Sequence, residues 1–167
     1  VEGYRPLNRQ MQRPEKITAD IVISVDGACS GRKAAAAAVL SVDGRIAGER
    51  SRYLWEVDGY VLAAEIAGVA LAAELVGDER NQEPITIEVD NADVPQVIED
   101  GFRPVQFQRI PPALLNKAIE LCRSRPTKFR FLPRRSTRGL RRADRLASAR
   151  LWRKGRQRGR RGAFRRW

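Results

Sequence analysis

Ile21-Val22-Ile23-Ser24-Val25-Asp26-Gly27 is a short apolar run that stops on a carboxylate and then on a glycine. Apolar β-branched residues in a stretch of this length predict a buried strand. In open α/β sheets the carboxyl ends of the strands border the crevice where ligands bind, so Asp26 stands at a place suited to chemistry. A second stretch repeats the design: Ile85-Thr86-Ile87-Glu88-Val89-Asp90-Asn91. Together they predict neighbouring strands whose terminal carboxylates, Asp26 and Asp90, face one crevice and hold metal ions there.

The residues between and after these stretches supply the rest of the sheet. Following a turn at Gly31-Arg32-Lys33, the small-residue run 34–41 fits two structures. Alanine favours helix, but Val39-Leu40-Ser41-Val42 followed by Asp43-Gly44 is a hairpin signal. With 46–55 as the returning strand, three antiparallel strands result. Residues 57–76 predict a helix with Val61, Leu62, Glu65, Val69 and Ala72 along one stripe, ended by Gly77. A helix between two strands makes a crossover that pairs them in parallel. Asn91 suits the cap of a short helix reaching Glu99. Residues 101–112 read as loop, 113–123 as helix, 128–132 as a fifth strand and 140–152 as the last helix. Trp55 and Trp152 are expected in the core or at its edge.

The 167 residues suffice for one domain with a sizeable core. The organisation expected is a flexible lead at 1–19, a folded domain at 20–152, and a basic Arg/Gly-rich tail at 153–167 that stays disordered until a partner binds. The net charge of +12 is unevenly spread. Residues 1–122 carry 13 Lys/Arg against 19 Asp/Glu, whereas 123–167 carry 19 Lys/Arg and a single acid, Asp144. An acid-rich body with a strongly basic end implies a polyanionic partner, nucleic acid first and an acidic membrane surface second. Cys29 and Cys122 do not make a disulfide framework, so a reducing compartment is expected, here a cytoplasmic, nucleoid-associated one. The absence of histidine excludes His-based triads and zinc sites with His ligands. No run approaches the ~18 apolar residues of a membrane span. The polar start, with Arg5, Arg9, Arg13 and Lys16, lacks the apolar core of a signal peptide.

Four acids fall where acids are awkward. Asp26 and Asp90 close two strands, Glu65 sits on the apolar stripe of its helix, and Asp144 shares a helix face with Leu140, Ala147 and Leu151. An unpaired buried carboxylate is costly, and several together repel one another and retain protons unless a cation is present. Two divalent ions about 4 Å apart relieve that repulsion and do chemistry, one activating a water and the other stabilising the leaving oxygen of a phosphodiester. Oxygen ligands select Mg²⁺ or Mn²⁺ over Zn²⁺.

The order of features (strand Asp, three-strand meander, helix Glu, strand Asp, late helix Asp) resembles ribonuclease H, type 1, over about 20–152. Asp26-Gly27-Ala28 is similar to the first-strand Asp-Gly-Ser/Ala of that family. Ala64-Glu65 with Ala67 and Ala70-Leu71 resembles its helix Glu in a small, apolar setting. Val89-Asp90-Asn91 resembles its strand-end Asp followed by Ser or Asn, and Arg142-Ala143-Asp144-Arg145-Leu146-Ala147 its final Ala-Asp-x-Leu-Ala. The resemblance implies an α/β fold with a five-stranded mixed sheet in order 3-2-1-4-5, three strands antiparallel and two parallel, flanked by helices. It implies a monomeric endonuclease that cuts the RNA strand of RNA–DNA hybrids with two Mg²⁺ or Mn²⁺ ions. The metal ligands and catalytic residues would be Asp26, Glu65, Asp90 and Asp144, with Asp26 bridging the ions.

The chain departs from that pattern in several places. Gly31-Arg32-Lys33 replaces the usual Asn-Pro-Gly segment after the first strand. Val61 and Leu62 stand where Asn residues that touch the hybrid backbone and 2′-hydroxyls are usual. Arg135-Ser136-Thr137-Arg138 fills the loop that usually carries a histidine, so reduced turnover is expected, and Leu140 replaces a frequent Asn. The basic handle helix of some members has no room. Nucleic-acid contacts are expected from Arg32, Lys33, Arg134, Arg135, Arg138 and Arg141, and from the tail through Arg156, Arg158, Arg160 and Arg161, since guanidinium groups pair bidentately with phosphate. Phe164 and Trp167 are candidates for stacking on bases. Two other functions fit the same residues: a non-catalytic RNA-binding module on this fold, or another nuclease of the superfamily, such as a junction resolvase.

Overall fold

The computed structural model describes residues 18–77 and 83–162, excepting the side chains of 154–162. The lead expected at 1–19 therefore lies almost wholly outside the described residues, as do Phe164 and Trp167. Strands β1 (Ile21–Ser30), β2 (Lys33–Val42) and β3 (Arg45–Tyr53) form an antiparallel meander. Strand β4 (Ile85–Val89) lies parallel beside β1, and β5 (Thr127–Phe131) parallel beside β4, giving the expected order β3-β2-β1-β4-β5. Helices α1 (Val61–Val76), α2 (Asp93–Glu99), α3 (Pro112–Ser124) and α4 (Arg138–Gly162) flank the sheet. A single 3-10 turn at Phe107–Arg109 interrupts the loop after α2.

The alanine run is strand, against its intrinsic preference. β2 pairs with β1 on one side and β3 on the other, and Ala34 to Ala38 are fully buried. Helices cover both sheet faces at this strand, so pairing and burial override propensity. The hairpin to β3 turns on Asp43 (φ 49°) and Gly44 (φ 77°), the two successive positive φ values of a tight turn matched to strand twist.

Alternation along β1 and β4 gives the sheet two different faces. Ile21, Ile23, Val25, Ile85, Ile87 and Val89 are buried in the main core with α1 and α3. Each such side chain stabilises the fold by roughly 1.5–3 kcal/mol relative to exposure. Ser24, Asp26, Glu88 and Asp90 alternate with them. On that opposite face lies α4, whose Ala143 and Ala147 pack on Ala37 and Val39.

Several expectations need correction. β1 does not stop on Asp26-Gly27 but runs on to Ser30 in register with β2, so Asp26 lies inside its strand rather than closing it. α1 begins at Val61 rather than at 57, because Gly59 (φ 63°) turns the chain just before it. It is buried on nearly every side from Leu62 to Ala72 rather than along one stripe. A helix that is apolar all round is an interior helix, and α1 lies between the sheet and α3. Trp55 and Trp152 are not core residues: they are 58% and 63% exposed. Trp55 instead stacks obliquely on Tyr53, with ring centroids 4.5 Å apart. The last helix does not end at Trp152 but continues through Gly162, which replaces the disorder expected from Arg153 onward. Among the described residues no helix is long and apolar enough to cross a membrane.

One glycine sets how closely α1 approaches the sheet. A Cβ on Gly27 would lie 2.6 Å from the Glu65 backbone nitrogen and 2.7 Å from the Ala64 carbonyl carbon. Because those atoms are backbone, the whole helix would have to move. Gly27→Ala is therefore expected to destabilise the protein by about 1–3 kcal/mol in urea unfolding, while an unchanged midpoint would show that α1 is not held against β1 there.

Candidate active site

The site is built on cross-strand register. Ser24 of β1, Glu88 of β4 and Arg130 of β5 are register partners in one row. Two residues further along the first two strands, on the same face, come Asp26 and Asp90. Glu65, in the second turn of α1, reaches the same end of the sheet through the close approach at Gly27. Asp26, Glu65 and Asp90 each offer a carboxylate oxygen, and these oxygens lie within 4.8 Å of one another. Asp26 and Glu65 are buried and Asp90 is partly so.

Burial and mutual repulsion push these acids up. Burial, then the charges of Asp90 and Asp144, raise Asp26 from 3.8 to about 7, against the pull of the Gly27 backbone N–H and Arg134. Burial, then Asp90 and Asp26, raise Glu65 from 4.5 to about 8, although the Asn91 side chain hydrogen-bonds it. Burial also raises Asp90, over the opposing pull of Arg134.

Asp144 behaves differently. It is buried on the face of α4 shared with Leu140, Ala147 and Leu151, as its spacing predicts. However, it stands outside the group of three. Arg134 Nη2 donates to Oδ1 and Arg135 Nε to Oδ2, both at 3.0 Å. Burial raises its pKa, but these two guanidinium groups outweigh burial and hold Asp144 below the usual carboxylate range.

The three clustered acids open on a cleft of about 670 Å³ that also holds Asn91, Arg134, Val61, Phe131 and Trp152. Of the arginines expected to contact nucleic acid, Arg134 lines this cleft and Arg135 joins it on Asp144. Arg138 and Arg141 are exposed near the start of α4. Arg32 and Lys33 are exposed at the β1–β2 turn, where Arg32 pairs with Asp58 at 2.6 Å. Arg156, Arg158, Arg160 and Arg161 belong to the helical backbone of α4, and their side chains lie outside the described residues. Other basic residues of this region are occupied within the protein: Arg142 grips Glu49 through two hydrogen bonds, and Arg130 pairs with Glu88.

Sequence reasoning missed two groups. Glu88 is a buried hub that accepts hydrogen bonds from Ser24 Oγ (2.7 Å), Thr137 Oγ1 (2.8 Å) and Arg130. Strand alternation two residues before Asp90 was the available signal. Asn91, expected as a cap and as the residue after the strand-end Asp, has a second contact. Its Oδ1 does accept from the Asp93 N–H at 2.9 Å, and its side chain also hydrogen-bonds Glu65.

With this geometry in view, the chain proves similar to several solved structures. It matches ribonuclease H1 from the halophilic archaeon Halobacterium salinarum with a TM-score of 0.65 at 24% identity, covering 79% of this chain and 97% of that one. It matches the N-terminal ribonuclease H domain of a Mycobacterium tuberculosis protein with a TM-score of 0.67 at 17% identity, covering 84% and 99%. A third, LC11-RNase H1 from compost, solved in complex with an RNA/DNA hybrid, gives 0.63 at 19% identity, covering 81% and 99%. No protein-family profile and no curated protein matches the chain. At these identities the likeness establishes the fold, which is that of ribonuclease H.

The donor set suits a hard cation: three carboxylates, with no nitrogen or sulfur ligand among them. Their raised pKa values come first from burial and then from neighbouring carboxylates, and Arg134 only partly opposes them. This has a consequence for stability. Asp26 and Glu65 titrate higher in the folded than in the unfolded protein, so the folded state binds more protons between their ordinary and raised values. Stability therefore falls as pH rises from about 5 to about 8. Glu88 and Asp144 are shifted downward, so their contribution changes only below about 4.5 and does not oppose this trend. In EDTA the Tm is expected to fall over that interval, and in excess Mg²⁺ to fall less. A Tm that rises through the interval in EDTA, or one indifferent to Mg²⁺, would contradict the site.

Proposed function

We propose that this protein is a metal-dependent endonuclease that hydrolyses the RNA strand of RNA–DNA hybrids. The observation that carries the reading is the convergence of Asp26, Glu65 and Asp90 within 4.8 Å at one end of a ribonuclease H-like sheet. These three residues, with Asp144 as a fourth ligand, would hold two Mg²⁺ or Mn²⁺ ions. Ions there would supply an activated water for attack on the phosphodiester and stabilise the 3′-leaving oxygen, so 5′-phosphate and 3′-hydroxyl ends are expected.

The chain's own groups do the rest. Arg134 and Arg135 are exposed guanidinium groups beside the carboxylates, and an incoming phosphate competes with Asp144 for them. As they turn to the polyanion, Asp144 is freed to join the other acids around the cations, whose charge would offset the repulsion that Asp144 already exerts on Asp26. Asn91 holds Glu65 by its side-chain hydrogen bond and so orients it. Arg138 and Arg141 with Arg32 and Lys33 are further phosphate-binding groups in this reading, and Arg156, Arg158, Arg160 and Arg161 of the sequence add to the positive charge. Neutralising several phosphates makes affinity fall steeply with salt. The protein acts as a monomer in this reading.

A non-catalytic RNA-binding module is the second reading, favoured by one observation: Asp144 is engaged by two arginines instead of joining the other acids. Labelled hybrid, duplex RNA, duplex DNA and four-way DNA, each with Mg²⁺ or EDTA, separate the readings. Binding without cleavage selects the module, and cleavage of four-way DNA alone selects a junction resolvase. Asp26→Asn is expected to lower Mg²⁺-dependent hybrid cleavage by about a thousandfold or more while leaving hybrid binding in EDTA intact. Full activity in that variant would remove Asp26 from the mechanism.

A further inference from the structure

Among the described residues, the exposed large apolar side chains are Trp55, Val61, Phe102, Val105, Phe131 and Trp152. Half of them, Val61, Phe131 and Trp152, come from three separate elements and line one cleft, the one that holds Asp26, Glu65 and Asp90. Apolar rims contribute nothing to holding a cation. Leaving a tryptophan ring 63% exposed forgoes the large stabilisation that its burial would bring. Its neighbour Leu151 is buried in a small cluster with Ala35 and Tyr53, which holds this turn of α4 against the sheet.

The chemistry of the rim limits what it can recognise. Val61 stands one turn before Glu65 and lines the cleft, but its isopropyl group cannot hydrogen-bond a ribose 2′-hydroxyl, and the adjacent Leu62 is buried. The rim thus offers flat or branched apolar surface, with a guanidinium, Arg134, in the same cleft. That combination fits a nucleotide: the base meets an aromatic face and the phosphate meets the arginine. Every base has a π-face, so stacking is tolerant of both sequence and sugar. A base inside a duplex is already stacked, and extracting it costs a few kcal/mol. Strand ends, nicks and single-stranded extensions carry no such cost.

We propose that Trp152, Phe131 and Val61 form a sugar-tolerant stacking subsite for one unpaired nucleobase beside the carboxylates. The subsite deepens the nucleic-acid reading of this cleft, and it works without metal. The chain has three tryptophans, Trp55, Trp152 and Trp167, so the double variant Trp55→Phe/Trp167→Phe leaves Trp152 as the sole emitter. This full-length variant is titrated in EDTA with single-stranded oligo-dT and oligo-U of ~10 nucleotides, lengths within the range that one binding fold covers.

Saturable quenching by both is expected, with apparent affinities within about fivefold of one another. In the otherwise natural chain, Trp152→Ala is expected to weaken binding of fluorescently labelled oligo-dT and oligo-U by about tenfold each, and Phe131→Ala to weaken both in the same direction. Absence of quenching, a preference for oligo-U beyond about fivefold, or unchanged affinity in Trp152→Ala would overturn the proposal. Equal quenching by a hybrid closed at both ends by loops that cannot reach the cleft would overturn the requirement for an unpaired base. Because these measurements exclude metal, their failure leaves hybrid cleavage in Mg²⁺ untouched, and loss of cleavage leaves the quenching untouched.

Discussion

Three carboxylates, Asp26, Glu65 and Asp90, meet at one end of the sheet within 4.8 Å of each other, two of them buried. Burial first, and the neighbouring carboxylates second, push Asp26 up to about 7 and Glu65 up to about 8. The rest of the structure is arranged so that this crowding cannot relax. Asp26 and Asp90 are set by the parallel register of β1 and β4. Glu65 is set by an interior helix that Gly27 admits to within backbone contact of β1.

Two acids on one face of the sheet differ in how their burial is balanced. Glu88 and Asp90 lie two residues apart on the same face of the sheet. Glu88 is buried, yet hydrogen bonds from Ser24, Thr137 and Arg130 offset its burial and hold its pKa below the usual carboxylate range. Asp90 has no comparable set of donors and is raised. The Glu88 hub also fixes the start of α4. Thr137 Oγ1 donates to Glu88 and accepts from the Leu140 N–H at 3.1 Å, and Gly139 packs directly against Ser24. Helix α4 is thereby pinned so that Asp144, further along it, faces the site.

Much of this was legible in the sequence because it rests on local rules. The Asp43-Gly44 turn and the Asp144 helix face follow from turn chemistry and period. Both strand-Asp stretches are strands, but Asp-Gly does not end the first, because β1 stays paired with β2 as far as Ser30. The sheet order is the one that the family resemblance implied. Features set by tertiary context were not. The alanine run is strand because it is paired on both sides and covered on both faces, which no propensity registers. Trp55 and Trp152 were placed by the general tendency of tryptophan toward burial, but the surroundings of each ring leave it open. The arginine pair on Asp144 depends on how the loop before α4 folds back. Helix α4 continues past Trp152 because Arg and Gly at its end do not forbid helix, even though their composition suggests disorder. At the candidate site, the acids were readable and the apolar rim around them was not.

If these acids hold a divalent cation, crystals of the full-length protein grown with Mn²⁺ will show anomalous density between the carboxylates of Asp26, Glu65 and Asp90, lost in crystals of Asp26→Asn. Well-ordered carboxylates with no anomalous density among them, or density that persists unchanged in Asp26→Asn, would contradict it.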